Sequence, residues 1–95
     1  MPYIKASFLS LLVDIIGKEE ITISIIENST IRDVLVKLRL SIGKNFENSI
    51  FNIKDKLNKY IILGLNGKDI RKFNGLDTIV KDGDELSFLP AIAGG

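Results

Sequence analysis

Two alternations open the chain. In residues 3–8, Ile4, Ala6 and Phe8 fall on one side while Tyr3, Lys5 and Ser7 fall on the other, the period-two signature of a half-buried strand. In residues 20–26, Ile21, Ile23 and Ile25 align in the same way. The apolar stretch between them, Leu9 to Ile16, reads as more strand or as a short irregular turn, broken at Gly17. Two neighbouring strands joined by a short loop predict an antiparallel hairpin. The period then changes: Ile31, Val34, Leu35, Leu38 and Ile42 recur at helical spacing and form one buried stripe. Thr30, with Asp33 three residues on, predicts a capping-box-like start, and Gly43 supplies the stop. A second, weaker helical pattern runs through Phe46, Ile50, Ile53 and Leu57.

The second half returns to strands. Residues 60–66 form a dense strand candidate that closes on Asn66-Gly67, a strong tight-turn signal. A short partner strand is expected at 70–73 and a single turn at 76–80. Asp82-Gly83-Asp84 then turns the chain into a strand at 85–89, where Leu86 and Phe88 share one face and Ser87 and Leu89 the other. Pro90 has no amide proton for a ladder, so the strand is expected to end there. The pattern predicts an α+β fold, a mixed sheet of four to five strands packed on one main helix. Residues 1–90 form the domain and 91–95 a slender, flexible tail.

Composition narrows what such a domain can do. Ninety-five residues make one domain, and 45% hydrophobic content supplies its core. Thirteen basic against twelve acidic residues argue against disorder and against a nucleic-acid surface built on counterion release. There is no Cys and no His. Cys/His zinc sites, Cys nucleophiles, disulfides and His general bases are therefore excluded. A chain without disulfides fits a cytoplasmic location. No apolar run reaches the ~18–20 residues that span a bilayer, and no signal peptide is evident. Lys44, Lys54, Lys56 and Lys59 read as a solvated face, and Asp82 and Asp84 as turn residues rather than metal ligands. With no Gly-rich loop ahead of a helix, the chain is not expected to bind ATP or another cofactor itself.

The remaining candidate for chemistry is the main chain. After Pro90 the sequence runs Ala91-Ile92-Ala93-Gly94-Gly95, closing on an α-carboxylate. Glycines without Cβ can thread a narrow channel in conformations closed to other residues. Inside a partner's active site such a carboxylate can attack the α-phosphate of ATP, giving an acyl-adenylate from which a sulfur or nitrogen nucleophile displaces AMP.

Several segments together carry a family resemblance. Asn66-Gly67-Lys68-Asp69-Ile70, Gly75-Leu76-Asp77-Thr78, Lys81 to Pro90 and the closing Ala93-Gly94-Gly95 resemble the MoaD/ThiS-type sulfur carriers, which are ubiquitin-like β-grasp proteins. The Asp-Gly-Asp turn, hydrophobic strand, Pro and Gly-Gly are similar to those of the molybdopterin synthase small subunit, MoaD. The Leu-Pro-Ala-Ile-Ala-Gly-Gly ending also resembles the CysO branch of cysteine synthesis. ThiS chains are typically shorter and lack the region seen here at 46–58.

The resemblance implies specific roles. Gly95 would be adenylated by an E1-like, MoeB-like enzyme that uses ATP, then converted to a thiocarboxylate that donates sulfur. Gly94 and Ala93 would thread into that enzyme's active site. In the MoaD branch the chain would also be the non-catalytic small subunit of molybdopterin synthase, docked on a large subunit. Two other expectations stand beside this one: a ubiquitin-like modifier joined to target lysines, and an interaction module with an inert tail. If Leu86 and Phe88 point inward, Leu89 points outward beside the tail, and Leu9 could flank it as part of a docking patch.

Overall fold

The computed structural model describes residues 2–52, 54 and 56–91. Both opening alternations are strands, β1 (Tyr3–Phe8) and β2 (Glu20–Ser24), paired antiparallel with Tyr3 opposite Ser24 and Ser7 opposite Glu20. Their connection is not the short loop or strand extension expected. Leu11–Ile16 form a helix, α1, which closes on Gly17 in the left-handed region (φ 84°), with the Gly17 N–H donating to Val13 O. Leu12 and Ile16, four apart, are buried, whereas Leu11 and Ile15 are exposed. Apolar residues on both faces hide the helical period in the sequence.

The main helix, α2 (Ile31–Ile42), begins and ends where its signals place it. Asp33 N–H donates to Thr30 Oγ1 at 3.3 Å, and Thr30 N–H donates back to Asp33 Oδ2 at 2.9 Å. These reciprocal bonds satisfy two amides that the first turn leaves without helical partners. Ile31, Val34, Leu35 and Leu38 are buried, while Ile42 is partly buried at the core's edge.

The weaker helix exists but is shorter than its pattern: α3 spans Lys44–Ile50. Phe51 is extended and bridges to Leu57, while the Asn52 carboxamide accepts from the amides of Lys54 and Lys56. An Asx-type turn thus takes the amides that another helical turn would have used. Leu57 packs on the core from this loop, and Ile53 lies outside the described residues.

Strand β3 (Ile61–Leu65) meets β4 (Lys68–Asp69) through a two-residue turn, with Asn66 at φ 52° and Gly67 at φ 84°. These left-handed values suit a tight hairpin. The partner strand lies earlier than the expected 70–73, because the Asp69 carboxylate accepts from Arg71 N–H and starts a 3-10 turn at Ile70–Lys72. A second such turn, Gly75–Asp77, opens the stretch expected to turn at 76–80. Strand β5 (Glu85–Pro90) reaches one residue past the expected stop, and Pro90 pairs with Ile61.

Sheet order is β2-β1-β5-β3-β4. β5 occupies the middle, parallel to β1 and antiparallel to β3. The inward face carries Ile4, Ala6, Phe8, Leu63, Leu65, Leu86 and Phe88 against α2 and α3, all buried. Phe8 and Phe88 stack at 5.1 Å between centroids, and Phe46 of α3 meets both edge-on at 6.3 and 5.7 Å. The expected α+β arrangement, a mixed sheet on one main helix, is the observed one.

Candidate functional site

The site begins at the end of β5. Alternation turns Leu86 and Phe88 inward, where both are fully buried, and Leu89 outward, where it is 36% exposed. Because β1 runs parallel to β5 with Phe8 opposite Phe88, Leu9 comes beside Leu89. Leu9 N–H donates to Phe88 O at 3.0 Å, and Leu9 is 42% exposed. On the other side Ile62 stands opposite Leu89 in the antiparallel ladder and is also 36% exposed. Leu9, Leu89 and Ile62 thus form one apolar row across three strands.

Ile62 is absent from the sequence-based expectation. Its segment, Ile61-Ile62-Leu63-Gly64-Leu65, is apolar throughout, so alternation has no polar residue to mark the outward positions. With Leu63 and Leu65 assigned inward, period two would have turned Ile62 outward.

The rows behind this one change character. Ser7, Ser87 and Gly64 share the next register level, a band of small residues. Behind them Lys5 lies 3.5 Å from a Glu20 carboxylate oxygen and 3.8 Å from one of Glu85, while Ser7 Oγ donates to Glu85. The outer sheet face therefore grades from apolar at the Leu89 end of β5, through small and polar, to charged and paired.

The turn that feeds β5 is held from three sides. Asp82 Oδ1 accepts from Tyr3 N–H at 2.8 Å, Asp84 Oδ2 accepts from Lys81 N–H at 2.8 Å, and Asp84 Oδ1 accepts from the Asn66 carboxamide at 3.0 Å. These carboxylates are engaged in turn geometry, and among the described residues no group of three Asp or Glu is placed to hold a metal ion. Of the four lysines read as a solvated face, Lys44 ion-pairs with Glu47 at 3.6 Å. Arg39 donates to the same carboxylate at 2.8 Å. The Arg39 hydrogen bond and then the Lys44 charge hold the Glu47 carboxyl below its usual range.

At the last described residue, Ala91 N–H donates to Tyr60 O at 2.6 Å. Ala91 also borders a shallow hollow of about 270 Å³ that Asp69 and Arg71 line. Arg71 forks onto Asp69, Nη2 to Oδ2 at 2.7 Å and Nε to Oδ1 at 3.1 Å. Hydrogen bonds from the Arg71 side chain and then from its backbone amide hold the Asp69 carboxyl at about 2. A carboxylate so engaged is a poor general base near neutrality. Gly95, Gly94 and Ala93 lie outside the described residues; the described part of the site is the platform leading to them. No helix among the described residues is long and apolar enough to cross a membrane.

Comparison with known proteins adds independent findings. A family model described as the ThiS family matches residues 8–95. A putative sulfur carrier protein of Archaeoglobus fulgidus is 35% identical over 69 residues, 73% of this chain and 77% of that protein. The sulfur carrier protein CysO of Mycobacterium tuberculosis is 42% identical over 40 residues, 42% of this chain and 43% of that one. The solution structure of small archaeal modifier protein 1 from Methanosarcina acetivorans superposes with a TM-score of 0.85 at 30% identity, covering 100% of this chain and 98% of that chain.

Proposed function

Because the chain belongs to the ThiS family of ubiquitin-like small sulfur carriers and has the β-grasp fold, we propose that it carries sulfur on the carboxyl group of Gly95. The carboxylate oxygen attacks the α-phosphorus of ATP in an E1-like activating enzyme, pyrophosphate leaves, and an acyl-adenylate forms. Hydrosulfide then adds to the acyl carbon and AMP departs, leaving a thiocarboxylate. With a persulfide donor the displacement gives an acyl disulfide, which a second thiol cleaves, forming a disulfide with the donor sulfur and releasing the thiocarboxylate. The chain acts as a protein cosubstrate, and the partner supplies ATP and the catalytic groups.

The apolar row of Leu9, Leu89 and Ile62 carries this reading most directly. It provides a dry contact at the root of the tail. Four residues beyond Ala91 extend at most about 14 Å, so an enzyme that activates Gly95 must approach this part of the surface. Gly94 and Ala93 bring little side-chain bulk into its channel.

For the sulfur acceptor, the Asp82-to-Pro90 pattern and the Gly-Gly ending support molybdopterin synthesis, with the chain as the small subunit on a catalytic large one. The local identity to CysO supports cysteine synthesis as its rival. A second reading, conjugation of Gly95 to lysines of target proteins, is favoured by the full-length similarity to a small archaeal modifier protein.

Incubation with ATP, the cognate activating enzyme and a sulfur source tests the proposal. Intact-protein mass spectrometry should register replacement of one terminal oxygen by sulfur, lost in a variant lacking Gly95. An unchanged mass in the presence of an enzyme that adenylates the chain would rule out the carrier. Lysine-linked adducts that require Gly95 would establish the modifier.

A further inference from the structure

The chain contains the dipeptide Asn-Gly twice, at Asn66-Gly67 and at Asn74-Gly75, and the fold treats the two in opposite ways. Asn-Gly is the dipeptide most open to spontaneous deamidation, because no Cβ on the following residue obstructs its amide nitrogen. That nitrogen adds to the side-chain carbonyl carbon, ammonia leaves, and a five-membered succinimide forms. Water then opens the ring to aspartate or to isoaspartate. The balance is one water consumed and one ammonia released, with no oxidant or reductant.

Asn66 is exposed, yet its carboxamide is clamped at both ends. Nδ2 donates to Asp84 Oδ1 at 3.0 Å, and Oδ1 accepts from Glu85 N–H at 2.9 Å. Its backbone is tied to the same neighbour, with Asn66 N–H donating to Glu85 O at 2.9 Å. The side chain therefore faces across the sheet towards β5. To reach the Gly67 nitrogen it must give up both carboxamide bonds together, which slows the reaction by roughly tenfold or more.

Asn74 is exposed as well, but its carboxamide makes no capping bond to the short turn it precedes. Its backbone is the anchored part: the amide donates to Thr78 Oγ1 at 3.0 Å and the carbonyl accepts from Asp77 N–H at 3.1 Å. Gly75 is the first residue of that 3-10 turn, a position whose N–H has no partner within a helix. The attacking nitrogen and the carbonyl carbon are thus both free of the bonds that restrain Asn66.

We propose that Asn74, and not Asn66, is a site of spontaneous deamidation in the folded protein. The product adds a negative charge three residues from Asp77, which pairs with Arg32 of α2. The isoaspartyl form also lengthens the main chain by one methylene at a structural joint. Thr78, bonded to Asn74 N and Gly75 O, offers its own carbonyl to Ile31 N–H at the start of α2.

Peptide mapping by mass spectrometry after incubation at mildly alkaline pH tests this, with isoaspartyl methyltransferase labelling as a second readout. In the folded chain the peptide holding Asn74 should gain the mass of amide-to-acid conversion about tenfold faster than the peptide holding Asn66. In urea the two should react at similar rates. Asp84→Ala should accelerate Asn66 and leave Asn74 unchanged, while Asp84→Asn, which keeps an acceptor for Nδ2, should restore protection. Equal folded rates, faster reaction at Asn66, or an inert Asn74 over a period in which the unfolded chain converts would each overturn the proposal.

Discussion

Replacing Phe46 with Ala probes the helix that lies outside the simplest strand-and-helix pattern. Phe46 is fully buried, and its ring meets Phe8, Phe88 and Phe51 edge-on, with centroids at 6.3, 5.7 and 6.1 Å. Phe-to-Ala changes in cores cost about 3–5 kcal/mol, and each aromatic pair adds about 0.5–1.5 kcal/mol beyond area burial. Three such pairs place the expected loss in the upper half of that range, about 4–5 kcal/mol. A domain of 95 residues has roughly 5–14 kcal/mol in total, so Phe46→Ala should remove about a third of it at the upper end and leave the chain at the edge of folding at the lower. Phe46→Leu, which keeps most of the volume, should cost about 1–1.5 kcal/mol and remain measurable if the Ala variant does not fold. Urea unfolding with an unchanged m-value reads both. Because Phe46 packs on the sheet face opposite Leu89, adenylation of the folded Leu variant should proceed at the normal rate. A loss below about 2 kcal/mol for Phe46→Ala would mean that α3 is not docked as described.

Other perturbations follow from single features. Thr30→Ala removes the acceptor for Asp33 N–H and should cost about 1 kcal/mol, read as a lower urea midpoint; an unchanged midpoint would show the cap contributes nothing. Leu9, Leu89 and Ile62 each expose about a third to two-fifths of their surface, so covering all three should contribute about 2–3 kcal/mol to partner binding. Leu89→Ala should therefore raise the activating enzyme's KM about threefold and the triple Ala variant by roughly 30–100-fold, provided calorimetry shows the variants folded; an unaltered KM would move the docking surface elsewhere. The Asp69 carboxyl is depressed from 3.8 to about 2 in the folded chain. Its contribution is fully present above about pH 4 and is lost as pH falls through about 2. Arg71→Ala should return the Asp69 titration, followed by NMR, towards 3.8; a midpoint that stays near 2 would assign the shift to another cause.

What the sequence disclosed depends on how polar and apolar positions contrast. β1, β2, α2 and β5 alternate or recur against a polar background, and α2 carries caps at both ends, so their faces can be read directly. α1 fails this test because the exposed Leu11 and Ile15 are as apolar as the buried Leu12 and Ile16 that follow them. Ile62 fails it for the same reason within an all-apolar strand. The premature end of α3 and the early position of β4 have another origin. There Asn52 and Asp69 bind nearby backbone amides, and such local competition defeats periodicity. The outward direction of Leu89 was legible, and so was its neighbour Leu9, conditional on β1 and β5 being adjacent. The third member of the row needed the β3–β5 register.

The central place of β5 has a consequence for biosynthesis. The strand that completes the sheet is also the last of the five to leave the ribosome. Ser7 of the first strand bonds to Glu85 of the last across 78 positions of sequence, and such distant pairing is slow to form. Until residues 85–90 emerge, β1 and β3 lack their shared neighbour and the two halves of the sheet have nothing between them. Order across the whole sheet therefore waits on this one strand. An activating enzyme that reads the apolar row assembled beside β5 would engage only chains in which that strand is already seated between β1 and β3, and partly folded chains would be passed over without any separate proofreading step.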